Sequence, residues 1–171
     1  MIISNTGLKI EQEEYKDENE LQALIFEHPE LIGEEGAELV SIAREVNTSA
    51  GRIDVLTITT NGTITLVEVK LGRNGQSRRE VLAQILDYIS ELTNYSYFKL
   101  NAATNEELGK VVDGFENNAE LPRIIEDNLK NGLVRLVIVV DESNDDLRRL
   151  VEFVARHTYL RVDLIEIKKY L

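Results

Sequence analysis

The hydrophobic pattern of the chain switches repeatedly between helical spacing and strand-like runs. Apolar residues at helical spacing predict five helices, at residues 17–28, 77–92, 104–115, 121–130 and 145–157. Runs of β-branched and aliphatic residues predict five strands, at residues 39–46, 52–60, 63–71, 133–141 and 161–169. This order predicts an α/β sandwich in which helices flank a central mixed β-sheet.

The first predicted helix carries a signal at each end. Asp17 is suited to cap it, and Glu20, three residues later, completes a capping box. Pro29 restricts the residue before it, so the helix is expected to end near His28.

The composition limits the kinds of site that the chain can hold. It has 171 residues, no cysteine and two histidines, His28 and His157. A disulfide framework and a zinc–thiolate site are therefore excluded, and two histidines this far apart do not indicate a histidine metal cage. A metal ion would have to be held by oxygen, which favours Mg²⁺ or Mn²⁺. We expect one domain over residues 1–171, with a helical insertion at 98–131, and a cytoplasmic location.

The two strands that flank Gly62 form a hairpin, and its loop length decides which side chains meet. A two-residue turn would send the two acids, Asp54 and Glu68, to different faces of the sheet. A three-residue loop over residues 60–62, with Gly62 in the left-handed conformation, pairs Asp54 directly with Glu68. Lys70 then projects from the same face as Glu68. This register predicts two carboxylates and an amine in one cluster.

Both faces of this hairpin are apolar away from the charged cluster. Four aliphatic residues are predicted on the face of the acids: Leu56, Ile58, Ile64 and Leu66. Four more are predicted on the other face: Ile53, Val55, Val67 and Val69. The strands are therefore interpreted as central and covered on both sides. Facing carboxylates there are destabilising without a cation, which favours a functional site over a surface acid beside a salt-bridged strand edge.

Asp54, Glu68 and Lys70 resemble the PD-(D/E)xK motif of the restriction-endonuclease-like nuclease superfamily. The sequence LVEVKLGRNGQSRREVLAQILDY is similar to its NucS-type and small stand-alone members, and the resemblance is strongest over residues 51–88, although the proline of the motif's name is missing. It implies a restriction-endonuclease-like sandwich and a metal-dependent endonuclease that hydrolyses DNA. It also implies that Asp54, Glu68 and the Val69 carbonyl bind Mg²⁺ or Mn²⁺. Lys70 is then expected to position the attacking water and stabilise the transition state.

Two further residues match positions that the superfamily uses, and each has a plain alternative. Glu20 resembles the acid that some members bring from their first helix, but the capping box accounts for it equally well. Gln84 resembles a glutamine that orients the attacking water or the lysine, and it could equally bond the backbone. Tyr88, one turn later, is expected in the core with its hydroxyl at the rim.

The formal net charge of −12 is unevenly spread. Residues 1–47 hold twelve acids and three bases, a net −9, whereas residues 52–99 hold six bases and five acids, a net +1. Arg73, Arg78 and Arg79 follow the cluster, and two explanations stay open for them. They bind DNA phosphates, or they form a solvated helix start.

The acidic flanks keep a second hypothesis open, a nuclease fold used as a non-catalytic binding or assembly module. DNA is the expected partner of the nuclease. A homodimer is compatible with cutting two strands, and the acidic surface is compatible with a protein partner. No segment predicts a membrane span.

Overall fold

The computed structural model describes the backbone of residues 2–3, 9–72 and 78–170 and the side chains of residues 11–72 and 80–170. The described strands are β1 (Ile2–Ile3), β2 (Lys9–Ile10), β3 (Gln12–Glu13), β4 (Leu39–Thr48), β5 (Gly51–Thr59), β6 (Ile64–Lys70), β7 (Arg135–Val140), β8 (Arg161–Glu166) and β9 (Lys169–Tyr170). The described helices are α1 (Glu18–Glu27), α2 (Arg78–Leu92), α3 (Tyr97–Ala103), α4 (Glu107–Asp113), α5 (Leu121–Lys130) and α6 (Asp145–His157). No helix in this part of the chain is long and apolar enough to cross a membrane.

A five-stranded mixed sheet, in the order β4-β5-β6-β7-β8, occupies the centre. Its first three strands are antiparallel neighbours, whereas β6, β7 and β8 run parallel. Parallel neighbours need long crossovers, which here contain the helices α2 to α5 and then α6. The predicted α/β fold, with a central mixed sheet flanked by helices, is confirmed.

The predicted ends of α1 follow from its capping groups. The Asp17 carboxylate accepts the Glu20 N–H at 2.9 Å, and the Glu20 carboxylate accepts the Lys16 N–H at 2.7 Å. At the other end, the His28 N–H donates to the Leu24 carbonyl at 2.9 Å, and a 3₁₀ turn starts at the following proline. The predicted N-cap at Asp17 is therefore confirmed, whereas the reciprocal bond of the capping box goes to the Lys16 N–H, one residue before the N-cap.

Helices cover the sheet on both faces. On one face, α1 buries Leu21 and Ile25 in a cluster with Val55, Val67 and Val69 of the hairpin. On the other face, residues from α2 to α6 join the larger cluster that contains four hairpin residues: Leu56, Ile58, Ile64 and Leu66. Seven of the eight face assignments are confirmed.

The eighth assignment, Ile53 on the face of Val55, is wrong. Ile53 pairs with Val46 of β4, and both belong to the cluster of Leu56. The β5–β6 pairs end at Val55–Val67, so Ile53 lies beyond the part of the hairpin whose regular alternation the assignment used.

The segment predicted to be an insertion contains three helices, α3 to α5, rather than the predicted two. The predicted start at residue 104 is wrong, because Asn105 and Glu106 both have positive φ, so α4 begins at Glu107. The unpredicted α3 is capped by Ser96, whose hydroxyl accepts the Lys99 N–H at 3.2 Å. All three helices contribute fully buried side chains to the larger apolar cluster: Leu100, Leu108, Leu121, Ile125 and Leu129.

The strand predicted at 161–169 is confirmed over residues 161–166, and its last three residues do not belong to β8. β8 ends at Glu166, whose carboxylate accepts the Ser143 N–H at 2.7 Å and lies 3.1 Å from the Lys168 ammonium. β9 instead pairs with β3 in a separate two-stranded sheet, with Lys169 opposite Glu13. The chain therefore turns away from the central sheet after β8.

Candidate active site

The β5–β6 hairpin has the three-residue loop that the sequence predicts. The Thr59 N–H donates to the Thr63 carbonyl at 3.0 Å, and Gly62 has a φ of 84°. A Cβ at Gly62 would lie 3.0 Å from the Ile124 side chain, so both the conformation and the packing require glycine. The pairs run from Ile58–Ile64 to Val55–Val67, which makes Asp54 and Glu68 the next rung. The predicted register is confirmed.

This register brings Asp54, Glu68 and Lys70 together at the end of two buried strands. Asp54 Oδ2 accepts the Val69 N–H at 2.7 Å. The Lys70 ammonium lies 2.6 Å from Glu68 Oε1 and 3.9 Å from Glu18 Oε2. Asp54 is 8% exposed and Glu68 is 1% exposed, so the two acids are buried side by side. Their catalytic roles stay predictions.

Burial and mutual repulsion shift the titration of these groups. Burial and then the charge of Asp54 raise the pKa of Glu68 to about 7, against the opposing effect of the Lys70 contact. Burial also raises the pKa of Asp54, although the Val69 N–H opposes this. For Lys70, burial acts to lower the pKa, but the carboxylates of Glu68, Glu18 and Asp54 outweigh it and raise the pKa above its ordinary value.

The Glu68 carboxylate suits a metal ion. Both of its oxygens are buried; the Lys70 ammonium lies 2.6 Å from Oε1, and Oε2 accepts no hydrogen bond in the described part of the structure. Buried carboxylate oxygens with few donors are costly, and a divalent cation would satisfy them together with Asp54. Among the described side chains, no group of three His, Cys, Asp or Glu residues is arranged to hold a metal. The available donors are these two carboxylates and the Val69 carbonyl, a hard oxygen set that fits Mg²⁺ or Mn²⁺.

The acid that α1 brings to this cluster is Glu18 rather than Glu20. Glu18 accepts the Leu71 N–H at 3.3 Å and faces Lys70. Glu20 is outside the cluster, because its carboxylate accepts hydrogen bonds from the Lys169 ammonium at 2.8 Å and from the Lys16 N–H just before α1 at 2.7 Å. Sequence reasoning missed Glu18, yet helical spacing places it in line with the buried Leu21 and Ile25.

Gln84 and Tyr88 of α2 lie at the edge of the cluster and bond each other. Gln84 Nε2 donates to the Tyr88 hydroxyl at 2.6 Å, and that hydroxyl donates to the Arg52 carbonyl at 2.7 Å. Burial raises the pKa of Tyr88 to about 12, and the charges of Glu68 and Asp54 add to the shift. Gln84 therefore contacts β5 through Tyr88.

Residues 17–99 match the family model of the endonuclease NucS C-terminal domain. The matched segment begins at the N-cap of α1, ends in α3, and contains the whole charged cluster. The predicted resemblance to NucS-type nucleases is confirmed. No curated protein sequence matches the chain.

Two solved structures are similar over most of the chain. One is the crystal structure of a repair endonuclease from Pyrococcus abyssi, which is 17% identical and covers 92% of this chain with a TM-score of 0.43. The other is an EndoMS–dsDNA2 complex, which is 19% identical and covers 90% of this chain with a TM-score of 0.49. The matches cover 49% and 47% of those chains, so this chain spans about half the length of each.

The arginines that were predicted to bind phosphate lie outside the described residues. This holds for Arg73 and for the side chains of Arg78 and Arg79. The two histidines are away from the cluster: His28 contacts Glu30 at 3.0 Å, and His157 stacks on Phe153.

Proposed function

We propose that this protein is a metal-dependent endonuclease that hydrolyses DNA phosphodiester bonds with Asp54, Glu68 and Lys70. One observation carries the proposal. Two carboxylates are buried next to each other, and the Lys70 ammonium is the close cation that they share. A divalent cation would offset the remaining excess of buried negative charge, and the match to an endonuclease domain over the same residues supports the chemistry that the cation would serve.

Asp54, Glu68 and the Val69 carbonyl are the groups that would hold Mg²⁺ or Mn²⁺. A divalent ion bound there supplies a Lewis acid for the phosphate and lowers the pKa of water. The Asp54–Val69 hydrogen bond joins the two strands at the level of the carboxylates, so both acids are held before metal arrives.

Lys70 contributes a positive charge beside the reacting phosphate. Its stem is buried and its ammonium is anchored between Glu68 and Glu18, so the charge is preorganised rather than recruited from solvent. Because the neighbouring carboxylates raise its pKa, Lys70 is a cation rather than a base at neutral pH. It can therefore orient an attacking water and stabilise negative charge that develops on the phosphate.

Gln84 acts as a positioning residue in this proposal. Through the Tyr88 hydroxyl, Gln84 fixes the Arg52 carbonyl two residues before Asp54. Glu18 acts as a third acid that holds Lys70 in place. Arg73, Arg78 and Arg79 remain our candidates for contacts to the flanking phosphates.

The experiment is a cleavage assay on supercoiled plasmid, single-stranded and branched DNA with Mg²⁺ or Mn²⁺. Double-stranded DNA heads the panel because the EndoMS structure contains it. We expect the wild-type chain to cut at least one substrate, and Asp54→Ala to abolish both cleavage and tight metal binding.

Retention of wild-type cleavage by both Asp54→Ala and Lys70→Ala would contradict the assignment. A wild-type chain that binds DNA but cuts no substrate would favour the non-catalytic alternative, which the net charge of −12 supports as an acidic surface for a protein partner.

A further inference from the structure

Glu45 stands beside the candidate active site in an unfavourable backbone conformation. It has a φ of 53° inside β4, and the flanking pairs Arg44–Val55 and Val46–Ile53 place it level with Asp54. A non-glycine residue in the left-handed region persists only where its surroundings determine it, and such residues concentrate at functional sites. The surrounding structure therefore holds the Glu45 carboxylate level with Asp54.

The Glu45 carboxylate makes a long, solvent-exposed contact with the Arg52 guanidinium. Arg52 Nη1 lies 3.5 Å from Glu45 Oε1, and the two side chains are 58% and 47% exposed. A strong charged hydrogen bond is about 2.7–2.9 Å long, and exposed pairs of this kind contribute little energy. Arg52 can therefore exchange this carboxylate for another oxyanion at small cost.

The backbone of Arg52 is held firmly although its side chain is not. Its carbonyl accepts the Tyr88 hydroxyl at 2.7 Å, and a Cβ at the preceding Gly51 would lie 3.3 Å from the Tyr88 ring. Arg52 stands two residues before Asp54 on β5, and its charge acts to lower the pKa of both Asp54 and Tyr88. An exposed guanidinium is thus held at the rim of the site through its backbone.

We propose that Arg52 binds a backbone phosphate of the DNA substrate, and that Glu45 holds it in a resting ion pair until the phosphate displaces the carboxylate. This inference rests on the proposed nuclease function. A guanidinium matches the geometry of phosphate oxygens as well as that of a carboxylate. A chain with a net charge of −12 repels DNA, so a cation at the rim offsets part of that repulsion where the strand must approach.

The test measures the affinity of the full chain for a short fluorescein-labelled DNA duplex by anisotropy over a range of NaCl concentrations, with Ca²⁺ replacing Mg²⁺. Arg52→Gln is expected to weaken binding about three- to tenfold. It also lowers the slope of log Kd against log salt by about 0.9, the value for one lost phosphate contact. Glu45→Gln is expected to tighten binding, because Arg52 is released.

The double variant separates release of Arg52 from simple loss of a negative charge. The gain from Glu45→Gln is expected to shrink sharply in the Arg52→Gln background, whereas Glu38→Gln, which removes another exposed acid at the start of β4, gives the same small effect in both. Thermal unfolding verifies that each variant is folded, and Arg52→Lys is expected to restore the salt slope.

Equal weakening by Arg52→Gln and Glu45→Gln would show a structural pair and overturn the inference. So would an unchanged salt slope in Arg52→Gln, or a wild-type chain that binds no DNA. The outcome is independent of cleavage. If the protein binds DNA through Arg52 but never cuts it, the inference holds and the proposed function is contradicted. If the protein cuts DNA and Arg52→Gln leaves the DNA affinity unchanged, the proposed function holds and the inference is contradicted.

Discussion

The central sheet buries two groups of charged side chains, and they are built differently. On β7 and β8, Arg135 donates from Nε to Asp163 Oδ2 at 2.7 Å and from Nη1 to the Ile32 carbonyl. Arg135 is 6% exposed, yet its guanidinium has an anion and a carbonyl as partners. This group is balanced in charge and in hydrogen bonds.

The group on β5 and β6 is unbalanced. Asp54, Glu68 and the nearby Glu18 share the ammonium of Lys70, and Glu68 Oε2 accepts no hydrogen bond in the described part of the structure. Burial of charge is therefore common to the two groups, and the excess of negative charge distinguishes this one. The comparison indicates that Arg135 stabilises the fold, whereas the Asp54–Glu68 pair is prepared for a ligand.

The effect of substitutions on DNA cleavage is expected to be the largest difference between the two charged groups. Lys70→Met should lower the cleavage rate about 10²- to 10³-fold, the usual effect of removing a preorganised charge from a transition state. Metal affinity should change far less, because the Asp54 and Glu68 carboxylates remain. Single-turnover rates over a Mg²⁺ titration measure both quantities.

Lys169→Met is the matched control, since Lys169 pairs with Glu13 and Glu20 outside the cluster. Its rate should stay within about threefold of wild type, as for a surface pair. Equal losses in the two variants would contradict the special position of Lys70.

The pH dependence of stability is the second difference. The pKa of Glu68 is raised from 4.5 to about 7 in the folded protein, so between these values the folded state binds a proton that the unfolded state has lost. Without metal, the free energy of unfolding should fall as the pH rises from about 4.5 to 7, by about 3 kcal/mol. Asp54, whose pKa is also raised, contributes with the same sign.

Urea unfolding in EDTA at a series of pH values measures this decline. Glu68→Gln should remove most of it. Glu166, whose pKa is lowered to about 2, loses its stabilisation only as the pH falls below about 4.5, so it acts outside this window. A wild-type curve that is flat from pH 4.5 to 7 would contradict the unbalanced pair.

Substitutions at neutral pH should change stability in opposite directions. Arg135→Met leaves Asp163 and the Ile32 carbonyl without a donor and should cost about 2 kcal/mol. The value is below that of a fully buried pair because Asp163 is 37% exposed. Glu68→Gln should stabilise the metal-free protein by about 1 kcal/mol, since it relieves the repulsion with Asp54. Denaturation midpoints compare the two, and a destabilised Glu68→Gln would reverse their assignment.

The two acids at the start of α1 give the smallest difference. Glu18→Gln should lower cleavage about tenfold or less, because Lys70 loses one of its anchors. Glu20→Gln should leave cleavage unchanged and lower the thermal unfolding midpoint only slightly, through the weakened pair with Lys169. Steady-state rates and thermal unfolding separate the two effects, and a Glu20→Gln variant with the larger loss of activity would place Glu20 in the cluster instead.

The hairpin and its register were predictable because independent signals agreed. Gly62 permits the left-handed loop residue, and only this loop places both acids on one face of otherwise aliphatic strands. The N-cap residue Asp17 and Pro29 fixed the ends of α1 in the same way. Local chemistry of this kind is readable because the interacting residues are close in sequence.

The errors lie where tertiary contacts decide the outcome. Glu18 and Glu20 both fit the first turn of α1, and only the packing of Leu21 against the sheet selects Glu18 for the cluster. Ile53 lies beyond the last β5–β6 pair, so regular alternation along the hairpin did not predict its face. α3 is a seven-residue helix, too short for its apolar period to stand out.

The central claim is that the paired acids of β5 and β6 form a metal site, and a crystal soaked in Mn²⁺ tests it directly. We expect an anomalous peak for a Mn²⁺ ion ligated by Asp54 and Glu68. This peak should be absent from crystals of the Asp54→Asn variant that are grown and soaked in the same way. A Mn²⁺ peak elsewhere in the molecule, with the two carboxylates unchanged and unligated, would contradict the claim.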